Sequence, residues 1–143
     1  PDSSSNDLVT IKKLQSKGSK VMVIDHHIIE NEELIAESYP EYMVVSNQYR
    51  GQEENSELTG SGMAAYVAKL WEGTQSIPYP DLAAIGQIAD MSNLNEASIM
   101  NIVTYGMDNI QNEMLKSFFE DDPEKMTIKH IQFSLIPKLS ISY

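Results

Sequence analysis

The sequence predicts an α/β domain with a mostly parallel sheet and helices on both of its faces. Two apolar runs, "KVMVID" at residues 20–25 and "YMVVSN" at residues 42–47, lack polar–apolar alternation, which is typical of strands buried on both faces. Helical patterns precede, separate and follow these runs, and strands that alternate with helices indicate a layered domain. The length of 143 residues suits one such domain.

The first predicted helix precedes the first strand. Asn6 or Asp7 can cap it, because a short polar side chain accepts a bond from the first free N–H groups of a helix. Gly18 ends it, and its apolar positions recur at helical spacing: Leu8, Ile11 and Leu14. Between the two strands, "ENEELIAES" predicts a short acidic helix.

The second half of the chain is predicted to be a series of helices. "LTGSGMAAYVAKLW" predicts a helix that begins near Thr59, with an apolar face of Met63, Tyr66, Val67, Leu70 and Trp71. After the break at "IPYP", Asp81 can cap the next helix, "LAAIGQIAD". Two more helices are predicted in "NEASIMNIVTYGMDNI" and "NEMLKSFFEDD", whereas "TIKHIQFSLI" fits either a helix or a strand.

Composition and charge restrict the classes of protein to which this chain can belong. It has no cysteine, which excludes disulfides and thiolate metal sites and favours a reducing, cytoplasmic compartment. No apolar run approaches the roughly 20 residues that cross a bilayer, so no membrane partner is expected. A net charge of −11 argues against a sequence-blind nucleic-acid binder, unless some of the carboxylates bind divalent cations.

Two of the three histidines stand side by side after the first predicted strand, in "VMVIDHH". Ligands of parallel sheets bind beyond the carboxyl ends of the strands, where Asp25, His26 and His27 are expected. Imidazole and carboxylate groups suit Mn, Fe or Zn, and an adjacent aspartate can orient a ring by accepting its second N–H. The alternative from the tripeptide alone is a pair of ordinary loop histidines at a helix start.

Two further acids could converge on the same edge of the sheet. Asp90 ends the apolar stretch "AAIGQIAD", and an acid at the buried end of such a stretch is costly unless it is paired or binds a ligand. Asp2 precedes the first helix and would lie past a strand if residues upstream of Pro1 form one. Taken singly, each acid is more often a cap or a solvated carboxylate.

These segments together resemble a known family. "VMVIDHH" resembles the namesake motif of the DHH phosphoesterase superfamily, and "IGQIADMSNL" is similar to its later metal-binding motif. "PDSSSNDLVTIKKLQSKG" resembles the segment that carries the second motif. "SNQYR", "LTGSGMAAYVAKLW" and "EKMTIKHIQFSLIPKL" resemble stretches of RecJ, the single-strand-specific exonuclease. The order and spacing of these segments hold along nearly the whole chain.

The resemblance implies a role for each candidate residue. Asp2, His26 and Asp90 match metal ligands of the family, with Asp2 bridging two ions. His27 matches the histidine that contacts the scissile phosphate, and Asp25 matches the aspartate that supports the site. The small residues 59–62, "TGSG", could hold phosphate at a helix start, although a plain helix start is the commoner meaning of such a run.

The function implied is metal-assisted phosphodiester hydrolysis with two Mn²⁺ (or Mg²⁺) ions. The substrate would be single-stranded DNA, degraded from 5′ to 3′ as by a RecJ-like exonuclease, or a short oligonucleotide. One alternative within the superfamily is a phosphodiesterase for oligonucleotides or cyclic dinucleotides, or a pyrophosphatase. Another alternative is a non-catalytic replication scaffold, which retention of the five candidate residues disfavours.

The chain also departs from the family pattern. The first motif, Asp-x-Asp, and the C-terminal substrate-binding domain have no counterpart in residues 1–143, which therefore match part of a DHH catalytic domain. The 143 residues alone are accordingly expected to have little nuclease activity. They are also expected to expose a sheet edge or apolar face that promotes self-association.

Overall fold

The computed structural model describes residues 4–33, 42–49, 57–120 and 126–137. A short 3₁₀ turn, Ser4–Asn6, leads into α1, Leu8–Gln15, and the strands are β1, Val21–Asp25, and β2, Tyr42–Ser46. The helices that follow are α2, Gly60–Glu72; α3, Pro80–Ala89; α4, Ala97–Asp108; and α5, Glu113–Phe119. The last is α6, Ile128–His130, which continues as a π-helical turn, Ile131–Leu135. The predicted α/β class is confirmed.

The two strands form a parallel sheet with helices on both faces. Val23 pairs with Val44, and both pack with Ile11 of α1 on one face. Their neighbours Ile24 and Val45 pack on the opposite face, in a core formed mainly by α2, α3 and α4. Among the described residues the sheet has two strands, β1 and β2.

The expectation that both strands are buried along their whole length is wrong at their amino ends. Met22 and Met43, which are paired in the sheet, are 46% and 44% exposed. Both side chains lie on the face of Ile24 and Val45, whereas Val21, on the opposite face, packs against the core of α1. Whether this face promotes self-association stays a prediction.

Helix α2 begins where the sequence predicts it but buries a shorter face. Thr59 is the N-cap, and its hydroxyl accepts a bond from the Gly62 amide. Met63 is buried, whereas Leu70 and Trp71 are 79% and 84% exposed. The prediction that these two residues belong to the buried face is wrong, because the last turn of α2 extends past the packed core.

Helix α3 starts differently from the prediction. Tyr79 occupies the N-cap position in a left-handed conformation, with φ of 53°, and Asp81 lies within the first turn instead of capping it. Asp81 is buried and accepts bonds from the amides of Gln111 and Asn112, at 2.8 and 2.6 Å. It therefore joins the start of α3 to the turn before α5.

The carboxyl-terminal segment is helical, which settles the open choice for "TIKHIQFSLI". Thr127 caps α6 by accepting a bond from the His130 amide at 3.2 Å. The segment buries Ile131 and Leu135 in a core shared with α3, α4 and α5. In a β-strand Phe133 would share the face of Ile131 and Leu135, whereas it is 66% exposed, as expected on a helix.

Some predictions fall on parts of the chain that lie outside the described residues. Asp2 is one of them, and most of the predicted acidic helix "ENEELIAES" is another, although Glu32 and Glu33 are helical. Within the described ranges, no helix has both the length and the hydropathy that a membrane span requires.

Candidate active site

The carboxylate of Asp25 is the centre of the candidate site. Asp25 is the last residue of β1, opposite Ser46 of β2, and only 1% of it is exposed. Its Oδ2 accepts bonds from the amide and the hydroxyl of Ser5, at 2.9 and 2.6 Å. The 3₁₀ turn before α1 thus covers the end of the strand and fixes one carboxylate oxygen.

The other oxygen of Asp25 binds the two residues that follow it. Its Oδ1 accepts bonds from the amides of His26 and His27, at 2.8 and 3.3 Å, and lies 2.8 Å from Nδ1 of His27. Burial raises the pKa of Asp25, but the hydrogen bonds from Ser5 and His27 outweigh it and hold that pKa well below its usual range. Asp25 is therefore an ionised acceptor that orients a ring.

This contact sets the tautomer of His27. An ionised carboxylate can only accept, so Nδ1 of His27 carries a proton and donates to Asp25. The His27 side chain is 41% exposed, and its ring centroid lies 4.4 Å from that of His26. His27 is thus held at the surface by a buried anion, with Nε2 at the opposite edge of the ring.

His26 meets the predicted acid from the other half of the chain. Its Nε2 lies 3.7 Å from Oδ2 of Asp90, the C-cap residue of α3, and the Asp90 side chain is 48% exposed, so the expectation that it is buried is wrong. Two ligands about 2.0–2.2 Å from one cation are separated by roughly 3–3.5 Å, so the pair is close to chelating distance. An imidazole nitrogen and a carboxylate oxygen are a donor set that fits Mn, Fe or Zn.

A second group of donors shares His26 with this pair but does not include Asp90. One ligand atom from each of Asp25, His26 and His27 lies within 4.8 Å of the others. The oxygens of Asp25 are already held by hydrogen bonds from Ser5 and from its histidine neighbours, so Asp25 suits the orienting role better than direct ligation. His26 and Asp90 are the described residues that fit a metal ion best.

His26 and Asp90 lie on a cleft of about 480 Å³. The start of α2 forms part of the same cleft, which is lined by Ile24, His26, Thr59, Gly60, Ser61, Gly86, Ala89 and Asp90. Residues 59–61 of the "TGSG" run are therefore placed beside the candidate metal ligands, whereas Gly62 is buried behind them. The positive end of the α2 dipole favours an anion there.

The structure gathers Asp25, His26, His27 and Asp90 at one edge of the sheet, and it leaves Asp2 undescribed. Sequence reasoning missed Ser5, which binds Asp25. Of the two predicted caps of α1, Asp7 is the cap, and Asn6 instead accepts from the Glu30 amide at 3.0 Å. Asn6 also donates to the carbonyl of Ile28 at 2.9 Å, so it fixes the loop after the two histidines. The run of three serines is a signal for Ser5, but the sequence does not show which serine faces the strand.

The fold and the site define an α/β protein in which imidazole and carboxylate groups meet at the carboxyl end of a parallel sheet. Two curated relatives are similar to this chain, and their names state an activity. Single-strand DNA-specific exonuclease YorK, derived from the SPbeta prophage of Bacillus subtilis strain 168, is 28% identical over 149 residues. These cover 98% of this chain and 25% of that protein.

The second relative, single-strand DNA-specific exonuclease yorK of Bacillus phage SPbeta, matches with the same 28% identity and the same coverage. The chain therefore spans about a quarter of the length of the curated relatives that it matches. No family model matches the chain, and no solved structure does.

Proposed function

We propose that residues 1–143 are part of the catalytic domain of a metal-dependent phosphodiester hydrolase of the DHH type, which degrades single-stranded DNA from 5′ to 3′ as a RecJ-like exonuclease. The observation that carries the proposal is the approach of His26 to Asp90, at 3.7 Å, on the cleft beside the Asp25–His27 pair. Similarity to two proteins named single-strand DNA-specific exonucleases supports the choice of substrate.

Some residues of the chain would bind the metal ions, and others orient the side chain that contacts the substrate. His26 and Asp90, together with Asp2, would hold Mn²⁺ or Mg²⁺, two ions in all. When bound, such ions supply charge neutralisation at the phosphate and a water nucleophile at neutral pH. Asp25 accepts from Nδ1–H of His27 and so favours the doubly protonated ring, whose Nε2–H would donate to an oxygen of the scissile phosphate.

The start of α2 would contribute to binding of the same phosphate. Gly60 and Ser61 line the cleft at the positive end of a 13-residue helix, and the Ser61 hydroxyl lies 2.9 Å from that of Thr59. Because the whole chain carries a net charge of −11, bound cations are needed to offset repulsion of a polyanion. DNA affinity should therefore depend strongly on the divalent ion.

A shorter substrate is the second candidate. The cleft volume of about 480 Å³ is within the range of small-ligand sites, so it can hold a dinucleotide as well as the end of a strand. An oligonucleotide or cyclic-dinucleotide phosphodiesterase, or a pyrophosphatase, would use the same His26, His27 and Asp90 groups.

Titration with Mn²⁺ tests the proposal directly. The longest natural protein that contains these residues should bind Mn²⁺, and His26→Ala and Asp90→Asn should each weaken that binding by at least about tenfold without loss of the fold. Absence of Mn²⁺ binding in that protein, as expected of a replication scaffold, would refute the hydrolase. Comparison of a long 5′-labelled strand with a dinucleotide, using the longest natural protein that contains these residues, then separates the two substrates.

A further inference from the structure

Gln87 is a fully buried polar residue that the proposed chemistry does not use. It lies on α3, one turn before Asp90, and its exposed fraction is 0%. Burying an amide is unfavourable unless its donors and its acceptor are satisfied, so the partners of this side chain show what it holds in place.

The acceptor of Gln87 holds the start of α2. Its Oε1 accepts bonds from the amide and the hydroxyl of Thr59, at 2.7 and 2.6 Å. Thr59 is the N-cap of α2 and lines the cleft together with the next two residues. One wall of the candidate active site is therefore fixed by a side chain from α3.

The donors of Gln87 hold the turn that follows Asp90. Its Nε2 donates to the carbonyl of Glu57 and to the hydroxyl of Ser92, both at 3.2 Å. The Ser92 hydroxyl in turn donates to the carbonyl of Gln87 at 2.9 Å. Asp90 lies between Gln87 and Ser92 in the chain, so these hydrogen bonds hold the turn that contains Asp90 against the Gln87 side chain.

Two glycines allow α2 and α3 to approach closely enough for these bonds. A Cβ added at Gly62 would lie 2.7 Å from Oε1 of Gln87, and a Cβ added at Gly86 would collide with the Ser61 side chain. The helices therefore cross at small residues, and the long amide side chain fills the space between their ends. This arrangement defines the distance from Thr59 to the Asp90 turn.

We propose that Gln87 is a positioning residue of the candidate active site. Its amide sets the separation between the start of α2 and the Asp90 turn, and with it the geometry in which Asp90 and His26 hold a divalent cation. This inference rests on the proposed function, because it assigns to Gln87 the placement of a metal ligand without contact to the metal or the substrate.

The test measures the Mn²⁺ affinity of the longest natural protein that contains these residues. The electron paramagnetic resonance signal of the free ion gives that affinity. Gln87→Leu keeps the approximate volume of the side chain but removes its donors and acceptor, and it should raise the Mn²⁺ dissociation constant by about tenfold. Ser92→Ala removes a single link to the Asp90 turn and should raise it about threefold. This second variant keeps the inference testable if Gln87→Leu does not fold.

Asp81→Asn is the matched control. Asp81 is equally buried on the same helix but lies roughly 13 Å along its axis from Asp90. The control should lower stability and leave Mn²⁺ affinity unchanged. If Asp81→Asn weakens Mn²⁺ binding as much as Gln87→Leu does, the effect is one of general stability and the positioning role is wrong.

The failure of this inference can be distinguished from the failure of the proposed function. Unchanged Mn²⁺ affinity in both Gln87→Leu and Ser92→Ala would overturn the inference alone. If the longest natural protein that contains these residues binds no Mn²⁺, the proposed function fails, and hydrogen exchange at the Thr59 amide then decides whether Gln87 positions α2. Faster exchange at Thr59 in Gln87→Leu, with exchange in α5 unchanged, supports that role, and equal exchange at Thr59 refutes it.

Discussion

Two buried aspartates, one at the carboxyl end of β1 and one at the amino end of α3, have similar surroundings and different partners. Asp25 and Asp81 are each 1% exposed, and each accepts bonds from backbone amides. Asp25 also binds the Ser5 hydroxyl and the His27 ring, whereas the bonds to Asp81 come from the amides of Leu82, Gln111 and Asn112. Asp25 thus joins two stretches of backbone and also orients a side chain that can react, whereas the bonds to Asp81 join stretches of backbone.

Replacement of Asp25 should have the largest effect. Asp25→Asn puts an amide NH₂ group in place of one acceptor oxygen, so one of the donors from Ser5 or His27 faces another donor. We expect a loss of about 3 kcal/mol in the free energy of unfolding, as for a buried charged group that loses its partners. Urea unfolding at pH 7 measures it, and a loss below about 1 kcal/mol would contradict the geometry described for Asp25.

The same variant should remove a pH dependence. Because the pKa of folded Asp25 lies below that of an unfolded aspartate, its contribution to stability is complete above the unfolded value and is lost as pH falls towards the folded one. The parent chain should therefore lose stability below about pH 4 more steeply than Asp25→Asn does. Urea midpoints compared from pH 6 to pH 2.5 test this, and parallel curves would show that Asp25 is not stabilised as an anion.

Replacement of Asp81 should have the second largest effect on stability and none on the site. Asp81→Asn weakens the bonds to the amides of Gln111 and Asn112, for which we expect a loss of about 2 kcal/mol. The ring signals of His26 and His27 in NMR spectra should not move. If they shift as they do in Asp25→Asn, the two aspartates are not independent and the contrast between them fails.

Local sequence patterns predict much of the fold and single out Asp25, Asp81 and Asp90, but they do not predict the hydrogen-bond partners of these aspartates. The strands, the start of α2 at Thr59 and the Asp-His-His cluster are visible because each depends on neighbours in sequence. Asp81 was expected to be a cap, because nothing in "IPYPD" shows that Tyr79 takes a left-handed conformation and moves the helix start. Its real partners are about thirty residues away, beyond the reach of any local rule.

Gln87 shows the same limit inside the candidate site. It is the one polar side chain in the run "LAAIGQIA", a pattern that fits an exposed position on a helix as well as a buried one. The structure makes it fully buried because Thr59 and Ser92 both reach it. A residue whose role depends on the crossing of two helices cannot be recognised before their packing is known.

A smaller effect is expected from loss of one donor to Asp25. Ser5→Ala removes the 2.6 Å hydroxyl bond but keeps the amide bond to the same oxygen, so about 1 kcal/mol should be lost. The pKa of Asp25 should also rise towards its ordinary range, because one of the bonds that lower it is gone. Asp25 carboxyl shifts in an NMR titration measure this, and Ser16→Ala, which removes an exposed hydroxyl bond to the Lys13 carbonyl, is the control.

The smallest effect on stability should come from the residue with the greatest expected effect on chemistry. The His27 side chain is 41% exposed, and Asp25 keeps its bonds to Ser5 and to the His26 amide without it. His27→Ala should therefore lower the free energy of unfolding by less than about 1 kcal/mol. His27→Ala should also leave Mn²⁺ affinity within about twofold of the parent, since His26 and Asp90 remain in place. In the longest natural protein that contains the chain, it should reduce phosphodiester hydrolysis at least a hundredfold. A variant that hydrolyses normally would assign the Asp25–His27 pair to structure, like Asp81, and a variant that loses Mn²⁺ instead would make His27 a metal ligand.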